Sequence, residues 1–114
     1  LAAPGIVELV ERGVTQGPEL DAYLERLLAP YRKRRLDAIV LGCTHFPFVR
    51  ESIIAILGYA PTIHDGSLGT ARETERQLTN SGLRNPGPAM GKIEFRNSRG
   101  GADILTLCEK LLLA

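Results

Sequence analysis

Three side chains that can do chemistry stand together at Cys43, Thr44 and His45, directly after an apolar run. A thiol that faces free amide hydrogens and positive charge ionises readily, and a thiolate can take up or return a proton. His45 can supply that charge or carry the proton, and Thr44 offers a hydroxyl and an amide to an anion. The same residues also fit a space-filling cysteine beside a solvated histidine, so both interpretations stay open on these residues alone.

The surrounding elements predict where these side chains lie. The apolar residues 38–41 are typical of a strand covered on both faces of a parallel sheet, and Gly42 lets the chain turn. Pro47 suits the first turn of a following helix. In open α/β sheets, ligands bind beyond the carboxyl ends of the strands, so Cys43 is predicted to lie at a ligand-binding edge.

Hydrophobic spacing and breaker residues predict the rest of the fold. Strands are predicted at 61–64 and 92–95, and helices at 4–12, from Pro18 to an interruption at Pro30, at 48–57 with Gly58 as the cap, at 70–79 and at 103–112. These elements indicate an α/β fold in which a small parallel sheet of about three strands is flanked by helices. Because such a sheet has bare edges, we expect self-association, for instance by exchange of the last strand and helix.

Asp65 follows the strand predicted at 61–64. A strand, a helix and a strand in succession form a parallel pair, so this carboxylate should reach the same sheet edge as Cys43. A role in the site is one interpretation of Asp65. A cap for the helix that follows is at least as good an interpretation, and the residues do not decide between them.

Composition limits the classes of function. The chain has 114 residues, a formal net charge of +1 and two cysteines, so we expect one domain, no nucleic-acid partner, and reduced thiols in a cytoplasmic protein. The basic run at 32–35 ends a helical stretch, where it complements the helix dipole. No apolar run approaches the ~20 residues that span a bilayer, and no secretory signal is visible. Cys43 and His45 alone do not make a zinc site, and Cys108 fits a buried helix face.

The longer string Leu-Gly-Cys-Thr-His-Phe-Pro at 41–47 resembles the second-cysteine motif of glutamate racemases, cofactor-independent enzymes that make D-glutamate for the bacterial cell wall. Segments 4–13, 65–73 and 93–98 are similar to further stretches of that family, in the same order. The chain departs from the pattern at Ala3, where many members have a cysteine, and at 99–101, where Arg-Gly-Gly replaces a Gly-Asp-Pro turn.

The resemblance implies a two-lobe racemase fold with one catalytic cysteine on each lobe. The chain begins with Leu1, and the first lobe's Cys-Asn-Thr segment has no counterpart, so residues 1–114 are expected to be the carboxyl-terminal part. Residues 1–67 would form the core of the second lobe. Residues 68–114 would pack on the missing first lobe or on a partner chain.

The same resemblance implies roles for four residues. Cys43 would be the acid or base on one face of glutamate, with His45 tuning its protonation and Glu11 assisting. Thr44 and His45 would bind the substrate, and no cofactor or metal is expected. Without the resemblance, Glu11 would be taken for a solvated charge near a helix end. Because racemisation needs two acid/base groups, the isolated chain is expected to be inactive.

Two alternatives remain beside glutamate racemisation. An aspartate or hydantoin racemase would share the fold and the paired cysteines. A noncatalytic lobe would use Cys43 and His45 to hold a small anion without turnover. Alkylation separates these classes, because a catalytic thiol should react faster than Cys108 and should be protected by glutamate.

Overall fold

The structure is a computed structural model that describes residues 1–87, 91–98 and 101–112. Within those ranges it is an α/β unit built from helices and two parallel strands. The elements are α1 (Pro4–Glu11), α2 (Pro18–Leu28), β1 (Ala38–Leu41), α3 (Arg50–Leu57), β2 (Thr62–Asp65), α4 (Ser67–Asn80) and α5 (Ala102–Leu112), with short 3-10 helices at Ala29–Tyr31 and Phe46–Val49.

The two strands confirm the predicted parallel pair. β1 and β2 run side by side, with Ala38 paired to Thr62 at one end and Leu41 to Asp65 at the other. A parallel pair needs a crossover between its strands, and α3 supplies it. The residues that follow Leu41 therefore emerge at the same edge of the sheet as Asp65.

The prediction of a third strand at 92–95 was wrong. Residues 91–97 belong to no helix or strand, and the described ranges contain a sheet of two strands only. A strand needs a neighbour to accept and donate its backbone hydrogen bonds, and Ile93 is 69% exposed with no sheet beside it. The proposed exchange of a last strand therefore loses its basis. Residues 85–87 lie outside helices and strands as predicted, whereas Pro88, Arg99 and Gly100 fall outside the described residues.

The helices end near the residues that were predicted to end them. α2 ends at Leu28 and a 3-10 turn carries Pro30, which cannot donate the next helical hydrogen bond. Gly58 ends α3 with φ +73°, the left-handed geometry that glycine adopts without strain. α3 begins later than predicted because residues 46–49 form the 3-10 turn, and α4 begins earlier, at Ser67.

The hydrophobic core lies between α1, α2, α3 and one face of β1. It contains Ala3, Ile6, Leu9, Val10, Leu20, Leu24, Leu28, Leu41, Val49, Ile53 and Leu57. The other face of the sheet is bare among the described residues, since Val40 is 75% exposed whereas Leu41 is 6% exposed. The prediction of a strand covered on both faces was therefore wrong for this chain, because α1, α2 and α3 all pack on the same face of β1.

The residues of α4 and α5 are much more exposed to solvent than those of the first three helices. Every residue of α4 is exposed, and α5 has no fully buried residue. Cys108, predicted to be buried, is partly buried. In the part of the chain that the structure describes, no helix combines the length and the apolar character needed to cross a membrane.

Candidate active site

The turn after β1 presents the thiol. Leu41 ends the strand with its side chain in the core, and the Phe46 amide donates a hydrogen bond to the Cys43 carbonyl at 3.1 Å. This bond folds residues 43–46 into a tight turn that leads into the 3-10 helix at Phe46–Val49. Cys43 is a partly buried free thiol, held just beyond the carboxyl end of β1.

Three titratable side chains form a continuous chain at this turn. The Cys43 Sγ atom lies 3.7 Å from Nδ1 of His45, and Nε2 of His45 lies 2.6 Å from Oε1 of Glu11. Glu11 is the last residue of α1, so the end of the first helix reaches the turn after β1. The structure thus brings together three of the residues singled out in the sequence, and Glu11 is not a free solvated charge.

The electrostatics of the three groups favour charge separation. The His45 amide, followed by the His45 imidazole, lowers the pKa of the Cys43 thiol. The Glu11 carboxylate, followed by Cys43, raises the pKa of His45. Both directions favour a thiolate beside an imidazolium, because each stabilises the charged form of its partner. The unit is partly open to water, with the side chains of His45 and Glu11 exposed by 26% and 55%.

A cleft of about 780 Å³ opens beyond the carboxyl ends of β1 and β2. The walls are formed by Val40, Leu41, Gly42, Cys43, Thr44, Pro47, His64, Asp65, Gly66, Ser67, Thr70 and Ala71. Cys43 and Thr44 are therefore in the wall, as the sequence predicted. His45 and Glu11 are not part of this lining, and His45 adjoins it through its contact with Cys43.

Asp65 serves the turn into α4 and also lines the cleft. Its Oδ1 accepts a hydrogen bond from the Ser67 amide at 2.9 Å, the side-chain turn typical of aspartate. The Ser67 amide, then the Ser67 hydroxyl and the charge of Arg50, lower the pKa of Asp65. Asp65 therefore stabilises the turn that leads into α4, and a role for it in the site stays a prediction.

His64 was not singled out in the sequence, yet it lies in the cleft wall. The register pairs it with Val40, and both side chains belong to the bare face of the sheet. The alternation of buried and exposed positions along the strand at 61–64 would have placed it there. Within the described ranges, no group of three or more histidine, cysteine, aspartate or glutamate side chains is arranged to hold a metal ion.

The fold and this site define an α/β unit that carries a thiol with a lowered pKa at the edge of a parallel sheet. The chain is 42% identical over 112 residues to the glutamate racemase of Clostridium kluyveri and 40% identical over 111 residues to that of Clostridium botulinum (strain Hall). These alignments cover 98% and 97% of this chain. The chain belongs to the glutamate racemase family, in which it corresponds to the carboxyl-terminal part, as the resemblance implied.

The chain spans less than half the length of the curated relatives it matches, 44% and 43% in these two cases. Its fold is similar to that of the glutamate racemase from Francisella tularensis solved in complex with D-glutamate, with a TM-score of 0.75 and 24% identity. That comparison covers 96% of this chain and 40% of the Francisella protein, and at this identity it supports the fold alone. No protein-family model matches the chain.

Proposed function

We propose that this chain is one half of the catalytic unit of a cofactor-independent racemase that interconverts L- and D-glutamate and so supplies D-glutamate for peptidoglycan. The observation that carries the proposal is the Cys43–His45–Glu11 chain beside the cleft, in a sequence 42% identical to a glutamate racemase. Cofactor independence rests on the family resemblance. The two free thiols support a reducing, cytoplasmic location.

The chemistry requires one proton transfer on each face of the α-carbon. In one direction the Cys43 thiolate takes the α-proton, so that an S–H bond forms while the C–H electron pair moves into the carbon framework and its carboxylate. An acid on the opposite face then donates a proton to the same carbon, which inverts it. In the reverse direction the Cys43 thiol is the donor, and the opposite group is the base.

His45 and Glu11 prepare the thiol for this exchange. With Nε2–H donated to Glu11, the imidazole holds its second nitrogen toward Sγ of Cys43. The carboxylate favours imidazolium, and the imidazolium favours thiolate, which keeps a base of suitable strength at the cleft. Glu11 therefore assists without touching the reacting carbon.

Thr44 is the proposed substrate-binding residue of this half. It is exposed, lies next to the thiol and lines the cleft, so its hydroxyl and amide are available to a carboxylate. His45, one residue further along, would contact the same ligand from the side of the thiol. The relatives at 42% and 40% identity are named glutamate racemases, which supports glutamate as the ligand.

The isolated chain should not racemise, because the described cleft contains one thiol. Cys108 lies on α5 and is not part of its lining. The second acid/base group is proposed to come from a first lobe, packed against residues 68–114. The exposed α4 and the bare face at Val40 support a missing partner, whether that lobe or a second copy of the chain.

A chimera tests the proposal. This chain replaces the matching 112 residues of the Clostridium kluyveri protein, and circular dichroism follows L- and D-glutamate. We expect interconversion in both directions that survives dialysis against a chelator and treatment with a carbonyl reagent. Cys43→Ser should abolish it, with Cys108→Ser as the matched control.

The other candidate functions are outcomes of the same experiment. Turnover of aspartate in preference to glutamate would assign the chain to an aspartate racemase. A folded chimera in which glutamate protects Cys43 from alkylation without turnover would indicate a noncatalytic lobe. In the isolated chain, interconversion that is lost in Cys43→Ser would contradict the proposed need for a second lobe.

A further inference from the structure

The carboxyl end of α1 is fixed by an unusually long-range contact. Gly13 has φ +76°, and the Val14 amide donates to the Leu9 carbonyl at 2.9 Å, which closes the helix in a Schellman turn. The Gly13 carbonyl points out of this turn and accepts a hydrogen bond from Nζ of Lys110 at 2.7 Å. Lys110 lies on α5, 97 positions further along the chain.

This contact lies two residues from Glu11, whose carboxylate holds His45. The Glu11 side chain is 55% exposed, so packing alone does not fix its direction. It also stands at the negative end of the α1 dipole, where another anion is unfavourable and a cation is favourable. Lys110 supplies that cation, and Arg12, which caps the same helix end, forms an ion pair with Glu19.

We propose that Lys110 is a positioning residue that fixes the end of α1 and thereby aims Glu11 at His45, so that α5 is coupled to the Cys43 site. Leu107 lies on the same face of α5 and supports this docking, because a Cβ added at Gly13 would lie 3.4 Å from both Leu107 and Nζ of Lys110. An open space of about 600 Å³ separates the rest of the two helix ends and is lined by Glu11, Arg12, Asp103, Ile104 and Leu107. Further along α5, Leu111 packs against the core. The catalytic meaning of the coupling rests on the proposed racemase function.

Several charged groups surround His45 and Glu11. Arg12 follows Glu11 as the residue that caps α1. On α5, Lys110 and Asp103 face the end of α1, and from the turn after β1, Cys43 contacts the imidazole. Lys110 can act on His45 in two ways that differ in sign. As a nearby positive charge it would disfavour imidazolium, whereas as the support of Glu11 it favours imidazolium.

The opposite signs make the proposal testable in the isolated chain. It contains only two histidines, so NMR titration of the ring nitrogens resolves His45, with His64 as an internal reference. We expect Lys110→Met to lower the pKa of His45 by roughly 0.3–0.5 unit, the shift expected for a partly exposed pair, and to leave His64 unchanged. Lys110→Arg should restore most of the shift, because it keeps a donor and a charge.

Lys92→Met is the matched control, since it removes one exposed lysine outside α5. A rise in the His45 pKa in Lys110→Met would show that Lys110 acts mainly as a nearby charge, and no change would show that its support of Glu11 does not outweigh that charge. Either result overturns the proposal. Failure of the chimera to racemise would refute the proposed function without altering this titration.

Discussion

The Nε2 atom of His45 lies 2.6 Å from Oε1 of Glu11, although 34 positions separate the two residues in sequence. The contact joins the last residue of α1 to the turn that follows β1. Glu11 can influence the thiol through this contact, because the imidazole bound by Glu11 also contacts Cys43. The helix end and the thiol turn are therefore joined through a continuous chain of side-chain contacts.

The first prediction concerns the carboxylate itself. Glu11→Gln should lower the pKa of His45, because the Glu11 carboxylate is the main cause of its upward shift. Glu8→Gln on the exposed side of the same helix is the control and should leave His45 unchanged. The measurement is ring-nitrogen NMR, and an unchanged His45 titration in Glu11→Gln would contradict the assigned contact.

The same shift makes stability depend on pH. The folded-state pKa of His45 is raised, so its stabilising contribution is fully present below the unfolded value of about 6.5 and is lost as pH rises through the folded value. Because the pair is partly exposed, the loss should stay below about 1 kcal/mol. Urea unfolding measured on both sides of this window should show the decrease in the native chain and a smaller one in Glu11→Gln.

The second prediction concerns the thiol. Cys43 should react with iodoacetamide at lower pH than an ordinary thiol, because the His45 amide and imidazole lower its pKa. His45→Asn should move the midpoint of the rate profile upward, since the positive partner is lost. Single-thiol variants carrying Cys108→Ser or Cys43→Ser separate the two reactions. A midpoint for Cys43 that His45→Asn does not move would contradict the proposed tuning.

The elements that position the site could be predicted from short-range sequence signals. The apolar run at 38–41 predicted β1, and the strand, helix and strand order predicted its parallel partner, which brought Asp65 to the edge near Cys43. Gly58 and Pro30 marked helix boundaries because glycine adopts the left-handed backbone without strain and proline lacks an amide hydrogen. These features depend on residues that are close together in the sequence, so the sequence alone predicts them.

The features that could not be predicted depend on what lies beside a segment. Residues 92–95 have a strand-like composition, yet a strand forms only where a neighbour completes its hydrogen bonds, and the described sheet offers none there. Val40 is apolar but 75% exposed, because all the core helices pack on the opposite face. The contact between Glu11 and His45 depends on how α1 docks, so only the family resemblance pointed to Glu11.

The third prediction follows from that bare face. The exposed side chain of Val40 lies on an uncovered face of a sheet of two strands, and Leu68 on α4 is 61% exposed. Such apolar surface is expected to drive association of the purified chain at high concentration. Val40→Lys should weaken it in sedimentation velocity, whereas Leu83→Lys, at an equally exposed site off the sheet, should not. A monomer at all concentrations would contradict this prediction.

The last prediction concerns the end of α3, the helix that covers the core behind the thiol. Gly58 has φ +73°, and a Cβ added there would meet no atom within 4 Å, so space is available and only the backbone geometry resists a side chain. Gly58→Ala should lower the free energy of unfolding by about 1 kcal/mol. Gly58→Asn should cost less, because asparagine tolerates left-handed geometry. Urea unfolding followed by circular dichroism measures both, and equal losses in the two variants would show that something other than the left-handed backbone sets the cost.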